Sequence, residues 1–431
     1  MAAAKNDGGK CGQKTIRLSR NRRGSGFYHR KTGILKNLFL LLSFIFSITA
    51  ALTQTNGILT GADQTTKYFP LLRGKKIAVV ANPTSRIAGT ALVDSLLHSG
   101  IRVVKVFGPE HGFRGNASNG AIVSDSFDPV TGIPVISLYG KKSMPSQDDL
   151  KDVDIVVFDI QDVGARFFTY IITLQRVMQS CAFNNKMLMI LDRPNPNGYC
   201  VDGPVLQDSL RSGVGLQPIP ILHGMTMGEM AMMINGEGWL PEKRKCELQI
   251  IPLAHYTHHT PYTLPYPPSP NLNTQQAVLL YPSLCLFEGT VISQGRGTMK
   301  PFTLLGSPAL KGKYSFSFRP ESIPGMSEHP LYQDSLCYGM DLGSYDTDIL
   351  RKKRQINLQW LIECYRAYPG KEAFFDTSRS KQIGNFDKLA GTPELRQQII
   401  AGYPEDKIRQ SWEPGLSRYR TMREKYLLYK D

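Results

Sequence analysis

Polar side chains follow the ends of several predicted β-strands in this 431-residue sequence. Each strand is a short apolar run, and the polar residues come directly after it. In an open parallel sheet such strand ends meet at one edge, where ligands bind. The residues concerned are Asn82, Thr84, Ser85, Glu110, His111, Arg114, Tyr139, Asp159, Asp162, Arg166, Asp192, Arg193 and Asn195. The pattern predicts a ligand site without naming a reaction.

The segment 106–115, VFGPEHGFRG, is the most informative strand end. Its glycines and proline predict a tight turn. Carboxylates at such an edge suit hydrolysis of a glycosidic bond, in which one carboxyl acts as acid and a second as base or nucleophile. The acid needs a raised pKa, which apolar surroundings provide. Glu110, set between two phenylalanines and beside a proline, fits that requirement better than Asp162.

Other common chemistries lack their motifs. No G-x-G-x-x-G fingerprint, Walker loop or G-x-S-x-G elbow follows a predicted strand, which argues against nucleotide cofactors and serine hydrolysis. The histidines of HYTHH (255–259) precede a proline-rich run, so a flexible surface loop is favoured over a zinc site. We therefore predict no cofactor and no metal site.

The elements that carry these residues alternate between strand and helix, and continuous apolar runs indicate strands buried on both faces. Strands with their following loops are predicted at 75–85, 101–112, 133–140, 154–164, 186–198 and 246–253, and helices at 91–100, 165–183 and 226–238. This alternation predicts an α/β fold with a doubly wound, mainly parallel sheet.

The proline-rich stretch 260–273 interrupts this alternation, since five prolines cannot continue either kind of element. It is therefore a loop or a domain hinge. Mixed short strands such as KYSFSF follow, with helices near 355–367 and 393–401 and an apolar stripe at helical spacing near the C-terminus.

The net charge of +15 is concentrated at the N-terminus, where residues 1–36 hold ten Lys/Arg and one Asp. The rest of the chain, with 41 basic and 35 acidic residues, does not resemble a nucleic-acid-binding protein. The basic segment leads into fifteen uncharged residues, 38–52, and then small residues, which is typical of a signal peptide. We expect export to the periplasm with cleavage near Ala50 or Ala51; the alternative is retention as an inner-membrane anchor through 38–52.

The seven cysteines are isolated in the sequence, and no C-x-x-C pair occurs. Zinc-ribbon and thioredoxin interpretations therefore fail on spacing. Export would permit disulfides among the six cysteines left after cleavage, but buried free thiols are an equal alternative.

Six ordered motifs resemble those of the NamZ-type exo-β-N-acetylmuramidases, long catalogued as a domain of unknown function. They are GPEHGFRG, FDIQDVGARFFTY, LDRPNPNG, PILHGMTMGEMA, PSPNLNT and EGTVISQGRGTMKPF. The resemblance runs from about residue 57 to the C-terminus. Val291 departs from it, because family members commonly have Asn after EGT.

The resemblance implies a Rossmann-like catalytic domain at 57–265 and a smaller C-terminal α/β domain at 266–431 that completes the cleft. The residues before them, 1–56, are the basic segment with its predicted signal peptide or anchor. It implies an exo-acting glycoside hydrolase that releases N-acetylmuramic acid from the non-reducing end of peptidoglycan fragments. Glu110 becomes the candidate general acid, with His111 and Arg114 orienting it or holding substrate. The candidates for the second carboxyl are Asp159, Asp162 and Asp192, and Glu288 could instead reach in from the second domain.

Muramic acid carries a lactyl carboxylate, which an arginine can bind in a bidentate manner. Arg166, Arg193 and Arg296 are the candidates, although each could instead form a structural salt bridge. Asn195, Tyr139 and Tyr170 are further candidates for sugar binding, and the tyrosines could equally fill a core. Two other functions stay open: a catalytically silent protein that binds wall fragments, and a metal-dependent amidase or esterase.

Overall fold

Apolar runs in the N-terminal half of the chain form a seven-stranded sheet. The computed structural model describes residues 57–110, 112–114, 125–375 and 386–431, so the predicted leader and His111 lie outside the described residues. The strands of this sheet are β1 (Lys76–Ala81), β4 (Arg102–Gly108), β5 (Ser126–Phe127), β6 (Pro134–Ser137), β7 (Ile155–Asp159), β8 (Met187–Leu191) and β9 (Leu248–Ile251). A separate hairpin pairs β2 (Arg86–Ile87) with β3 (Thr90–Ala91). In the large sheet the order is β5-β6-β4-β1-β7-β8-β9, and every neighbouring pair is parallel except β5 with β6.

The side chains of the central strand β1 are buried on both faces of the sheet. Ala78 and Val80 join one hydrophobic cluster, whereas Ile77 and Val79 join another on the opposite side. Successive side chains of a strand point to opposite faces, so a continuous apolar run fills two layers. Each fully buried aliphatic side chain contributes about 1.5–3 kcal/mol. The predicted doubly wound, mainly parallel sheet is confirmed.

Helices cover both faces of the large sheet, and further helices follow in the C-terminal part of the chain. They are α1 (Thr65–Leu72), α2 (Leu92–His98), α3 (Gln147–Leu150), α4 (Tyr170–Phe183), α5 (Met227–Gly236), α6 (Gln275–Leu284), α7 (Asp348–Lys353), α8 (Gln359–Ala367), α9 (Phe386–Ala390), α10 (Glu394–Ile400) and α11 (Glu405–Glu424). A capping box formed by Thr226 and Glu229 begins α5, the helix predicted at 226–238. The helix predicted at 165–183 begins later, at Tyr170, because Ala165 pairs with Leu222 in a β-bridge.

The C-terminal part carries a small antiparallel sheet of β10 (Leu304–Ser307), β11 (Phe316–Phe318) and β12 (Cys337–Asp341), with β12 in the middle. The sequence did not predict α6, which directly follows the proline-rich loop and contains Pro282. One hydrophobic cluster continues from the large sheet into these helices. The predicted boundary between residues 265 and 266 stays a prediction.

Among the residues that the structure describes, no helix is both long and apolar enough to cross a bilayer. The segment 38–52, predicted as a signal peptide or anchor, lies outside those residues.

Candidate active site

The order of the strands creates a crevice at the carboxyl ends of β1, β4 and β7, here called the strand-end crevice. β4 and β7 lie on opposite sides of β1, so the loops that follow them leave the sheet in different directions. Ligands of open α/β sheets bind at such a switch point. Asn82 follows β1, Glu110 follows β4, and Asp162 follows β7.

The turn after β4 places Glu110 at this crevice. The backbone N–H of Gly112 donates to the carbonyl of Pro109 at 2.9 Å, and Gly112 has a φ of +74° that favours glycine. A Cβ on Gly108 would lie 3.1 Å from the nitrogen of Phe113, so the chain folds back tightly. Phe113 is buried and anchors the turn in the core. The predicted turn is therefore confirmed.

Hydroxyl groups from two other segments surround the Glu110 carboxylate. The Thr169 hydroxyl donates to Glu110 Oε2 at 3.4 Å, and the Tyr139 hydroxyl hydrogen-bonds the same carboxylate. Burial and the charge of Glu110 raise the pKa of Tyr139 to about 12, so this phenol keeps its proton. Glu110 itself is half-buried and therefore reaches solvent. The carboxylate is thus both held in place and accessible.

The Tyr170 phenol is close enough to both Glu110 and Asp162 for their charges to act on it. Its hydroxyl donates to the carbonyl of Pro268 in the proline-rich loop at 3.3 Å. Burial raises the pKa of Tyr170, the nearby Asn82 side chain opposes the rise, and the charges of Glu110 and Asp162 add to it. Both carboxyl groups therefore act electrostatically on one phenol.

Asp162 is the carboxyl group whose pKa is shifted toward neutrality. Its Oδ1 accepts a hydrogen bond from the Gly164 N–H at 2.7 Å, while its Oδ2 is buried and has no hydrogen-bond partner among the described residues. Burial raises the pKa of Asp162 to about 7. The sequence had favoured Glu110 over Asp162 for such a shift, because it could not show how deeply the loop after β7 is buried.

His223 lies beside Asp162, with Nε2 at 4.0 Å from Asp162 Oδ1. Its Nδ1 accepts a hydrogen bond from the Met225 N–H at 3.2 Å, so the proton of the neutral ring is on Nε2 and faces the carboxyl group. Burial lowers the pKa of His223 to about 3, which keeps the ring neutral. Sequence reasoning missed His223, although it follows the apolar run 219–222 in the same way that Glu110 and Asp162 follow theirs.

The two remaining aspartates of the sequence prediction are held in the interior. Asp159 is fully buried and forms a two-pronged ion pair with Arg193, with N···O distances of 2.5 and 2.9 Å. Asp192 accepts hydrogen bonds from the Thr226 hydroxyl and the Tyr429 hydroxyl, each at 2.7 Å. Burial raises the pKa of Asp192 to about 6. Asp159, Asp192 and Arg193 therefore stabilise the loops at the carboxyl ends of the strands. Their contacts do not support binding of substrate by these three residues.

Arg166 is also structural, contrary to its predicted contact with substrate. It is 0% exposed, and its guanidinium donates to the carbonyls of Pro204, Ile219 and Leu389 at 2.7–2.8 Å. Without a carboxylate partner, burial lowers the pKa of Arg166 to about 9. The side chain links the loops around 204–219 to the end of α9.

Arg114 and Asn195 hold loops in position. Arg114 forms ion pairs with Asp94 at 3.0 Å and Asp128 at 2.7 Å, and holds the pKa of Asp128 at about 2. The buried Asn195 amide donates to the carbonyl of Met225 at 2.9 Å and accepts from the Asn197 N–H at 2.8 Å. Their predicted contact with substrate therefore has no support from these contacts.

Glu288 and Arg296 form a buried ion pair in the C-terminal part. Arg296 Nη2 lies 2.6 Å from Glu288 Oε1, and the guanidinium lies over the Phe302 ring, 4.9 Å from its centroid. Gln294 donates to the same Glu288 oxygen at 3.1 Å. Within the described part of the chain, Arg296 Nη1 has no hydrogen-bond partner. Arg166 Nε likewise has no partner there, but Arg166 is 0% exposed, whereas Arg296 is partly exposed.

The histidines of the segment 255–259 are not equivalent. His255 and His259 are exposed as predicted, but the prediction of a surface position is wrong for His258, which is 1% exposed and contacts Glu229 and Asp431. In residues 57–110, 112–114, 125–375 and 386–431, no group of three or more histidine, cysteine, aspartate or glutamate residues could hold a metal ion.

Two family models match the chain in succession. Residues 77–276 match the model described as exo-beta-N-acetylmuramidase NamZ, N-terminal, and residues 279–429 match the corresponding C-terminal model. The chain is also similar to the peptidoglycan beta-N-acetylmuramidase NamZ of Bacillus subtilis (strain 168), with 38% identity over 383 residues, which cover 84% of this chain and 89% of that protein.

Two solved structures share this architecture, both of DUF1343 family proteins from Bacteroides fragilis NCTC 9343. One is 44% identical, with a TM-score of 0.79 over 87% of this chain and 100% of that chain. The other is 29% identical, with a TM-score of 0.74 over 86% of this chain and 99% of that chain. The fold of the described residues is therefore one that experiment has already found in similar proteins.

Proposed function

Because this chain belongs to the NamZ family of exo-β-N-acetylmuramidases, we propose that Glu110 is the acid that protonates the leaving sugar oxygen. The chain is an exo-acting glycoside hydrolase that releases N-acetylmuramic acid from peptidoglycan fragments. The observation that carries the assignment is the position of Glu110: it is half-buried at the strand-end crevice and held by Tyr139 and Thr169. The three strand-end aspartates, Asp159, Asp162 and Asp192, are buried.

Asp162 is the second carboxyl group of the proposed mechanism. Asp159 is neutralised by Arg193, and both oxygens of Asp192 accept hydrogen bonds, whereas Asp162 keeps one oxygen without a hydrogen-bond partner among the described residues. The transition state of glycoside hydrolysis carries positive charge on the sugar ring. The ionised form of Asp162 would stabilise that charge, and its pKa of about 7 makes this contribution depend on pH near neutrality.

Arg296 is the proposed ligand of the lactyl carboxylate that distinguishes N-acetylmuramic acid from N-acetylglucosamine. Arg193 uses its guanidinium on Asp159, and Arg166 is 0% exposed and donates to carbonyls, although its Nε has no partner among the described residues. Arg296 combines partial exposure with one nitrogen that has no partner within the described residues. Replacing Arg296 with Met should raise KM for a muramic-acid glycoside and leave KM for the matching glucosamine glycoside unchanged. Equal changes in both KM values would exclude Arg296 from selecting the lactyl group.

The test of Glu110 is turnover of a chromogenic N-acetylmuramic acid glycoside by the variant Glu110→Gln. General acid catalysis contributes about 10²–10⁴-fold, so kcat/KM should fall by that factor while the thermal unfolding temperature stays within a few degrees. Glu247→Gln is the matched control, because Glu247 is an exposed carboxylate just before the start of β9, whereas the strand-end crevice lies at the carboxyl ends of the strands. Retention of more than a tenth of the activity by Glu110→Gln would contradict the assignment.

The proposal includes export of the protein to the periplasm. It rests on the ten basic residues within 1–36, the uncharged run 38–52 and the small residues after it. Cell fractionation followed by N-terminal sequencing tests it. A mature N-terminus near Ala50 or Ala51 in the soluble periplasmic fraction is the expected result, while an intact N-terminus in the membrane fraction would indicate a retained anchor. Recovery in the cytosol would contradict export.

A further inference from the structure

Two buried thiols, Cys181 and Cys246, lie near the start of strand β9, at the end of the large sheet opposite the strand-end crevice. Cys181 lies in the last turn of α4, and Cys246 lies two residues before β9. Leu188 of β8 pairs with Leu248 of β9, and Leu188, Cys181 and Cys246 belong to one buried cluster, so both free thiols lie on the same face of the sheet. The neighbouring Cys246 and burial raise the pKa of the Cys181 thiol. The two cysteines therefore lie where the end of a helix is near the start of a strand.

Backbone hydrogen bonds hold the two cysteine segments together independently of the thiols. The N–H of Lys186 donates to the carbonyl of Cys181 at 2.9 Å, and the N–H of Leu188 donates to the carbonyl of Glu247 at 2.8 Å. On the other side, the N–H of Cys246 donates to the Asn235 side chain at 3.0 Å. Both segments are thus fixed by the fold.

The thiol pair differs from the surroundings of other cysteines in the described chain. Cys285 lies against Tyr281, Glu288 and Arg296, and its pKa is raised by burial among them. Cys181 instead lies near another cysteine of the same buried cluster. Cys285 therefore provides a buried thiol for comparison.

We propose that Cys181 and Cys246 form a disulfide when the protein folds in an oxidising environment. The two thiols lose two protons and two electrons as the S–S bond forms. A disulfide oxidant such as oxidised glutathione accepts them and is reduced to two thiols. The inference does not depend on the roles proposed for Glu110 and Asp162.

The cross-link would restrain β9, the strand at one side of the large sheet. β9 is the terminal strand and is hydrogen-bonded to β8 alone in that sheet. A bond from Cys181 to Cys246 attaches the segment before β9 to α4 and closes a long loop in the unfolded chain, which favours the folded state. α4 begins at Tyr170 in the crevice, and eleven residues of helix separate Tyr170 from Cys181 by about 16 Å. We therefore expect oxidation to change stability and not turnover.

The experiment uses the full chain, purified under reducing conditions and then equilibrated with oxidised glutathione. Alkylation in denaturant, digestion and mass spectrometry should show a peptide pair linked through Cys181 and Cys246 that reduction separates. The oxidised protein should unfold at least about 3 °C above the reduced protein, with kcat/KM the same in both forms. Recovery of both cysteines as alkylated thiols, or their linkage to other partners, would overturn the proposal.

Matched variants identify the cysteines responsible for the shift in unfolding temperature. Cys246→Ala should abolish the difference between oxidised and reduced protein, and Cys285→Ala should preserve it. An unchanged difference in Cys246→Ala would contradict the assignment. Peptide mapping of the wild-type protein decides the question by itself if either variant fails to fold.

Discussion

The buried ring of His258 should make the stability of the protein depend on pH above neutrality. Its Nε2 lies 2.9 Å from Glu229 Oε2 at the start of α5, and its Nδ1 lies 2.9 Å from Asp431 Oδ1. Burial opposes a charge on the ring, but the hydrogen bonds to Asp431 and Glu229 outweigh it and raise the pKa of His258 to about 9. Protonated His258 therefore links Asp431, which also pairs with Arg423, to Glu229 at the start of α5.

The direction of this pKa change fixes the sign of the effect. A histidine whose pKa rises from 6.5 to about 9 on folding stabilises the fold fully below pH 6.5, and the contribution is lost as pH rises through 9. One pKa unit corresponds to about 1.4 kcal/mol, so the full loss is about 3 kcal/mol. Because the Asp431 side chain is 52% exposed, screening by solvent reduces the expected loss to about 2 kcal/mol.

Urea unfolding at pH 6.0 and pH 9.5 measures this loss in the wild-type protein, His258→Gln and His259→Gln. His259 is an exposed neighbour that contacts Arg354, and serves as the control. The pH-dependent loss should be about 2 kcal/mol smaller in His258→Gln and unchanged in His259→Gln. Buried groups such as Asp162 and Asp192 titrate in all three proteins and cancel in the comparison. An equal loss in all three proteins would refute the reasoning.

Three further predictions concern the residues around the crevice. Asp162→Asn should lower kcat and remove the rise of kcat near pH 7, which pH–rate profiles test. In urea unfolding it should also stabilise the protein by about 1–3 kcal/mol at pH 8 and by less at pH 5, because the raised pKa means that ionisation of Asp162 costs stability as pH rises from 3.8 to 7. Arg166→Lys should lose about 2–4 kcal/mol of stability in urea unfolding, since one ammonium group cannot satisfy three carbonyls, while its folded fraction keeps the wild-type KM; a raised KM would restore Arg166 as a substrate ligand. Gly164→Ala should unfold at a lower temperature in a thermal scan, because Gly164 has a φ of +78° and a Cβ would lie 2.1 Å from Asn195 Oδ1; a wild-type unfolding temperature would contradict this.

The sequence predicts the sheet and its functional edge well because both depend on local patterns. Continuous apolar runs identify β1, β7 and β8, and the polar residues after them include Asp162 as well as Glu110 after β4. The partners of these residues are distant in the chain and leave no local signal. Arg193 meets Asp159 across 34 residues, and Arg166 meets the carbonyl of Leu389 across 223. An arginine available to substrate and one used in the core therefore look alike in the sequence.

Burial separates the aspartates of the crevice into structural and chemical ones. A carboxyl group removed from water costs free energy unless a cation or hydrogen-bond donors replace the lost solvent. Asp159 obtains Arg193, and Asp192 obtains two hydroxyl groups and two N–H groups. Asp162 receives less: one oxygen is buried without a hydrogen-bond partner among the described residues, at a cost of about 1–3 kcal/mol.

Such a cost is expected where chemistry requires it, because functional sites are where proteins keep locally unfavourable arrangements. The neutral ring of His223 beside Asp162 adds no charge that would lower the carboxyl pKa again. A cationic residue at position 223 would lower it and would remove the dependence of kcat on pH near neutrality. The same burial that makes Asp162 unfavourable for stability therefore makes its charge sensitive to pH near neutrality.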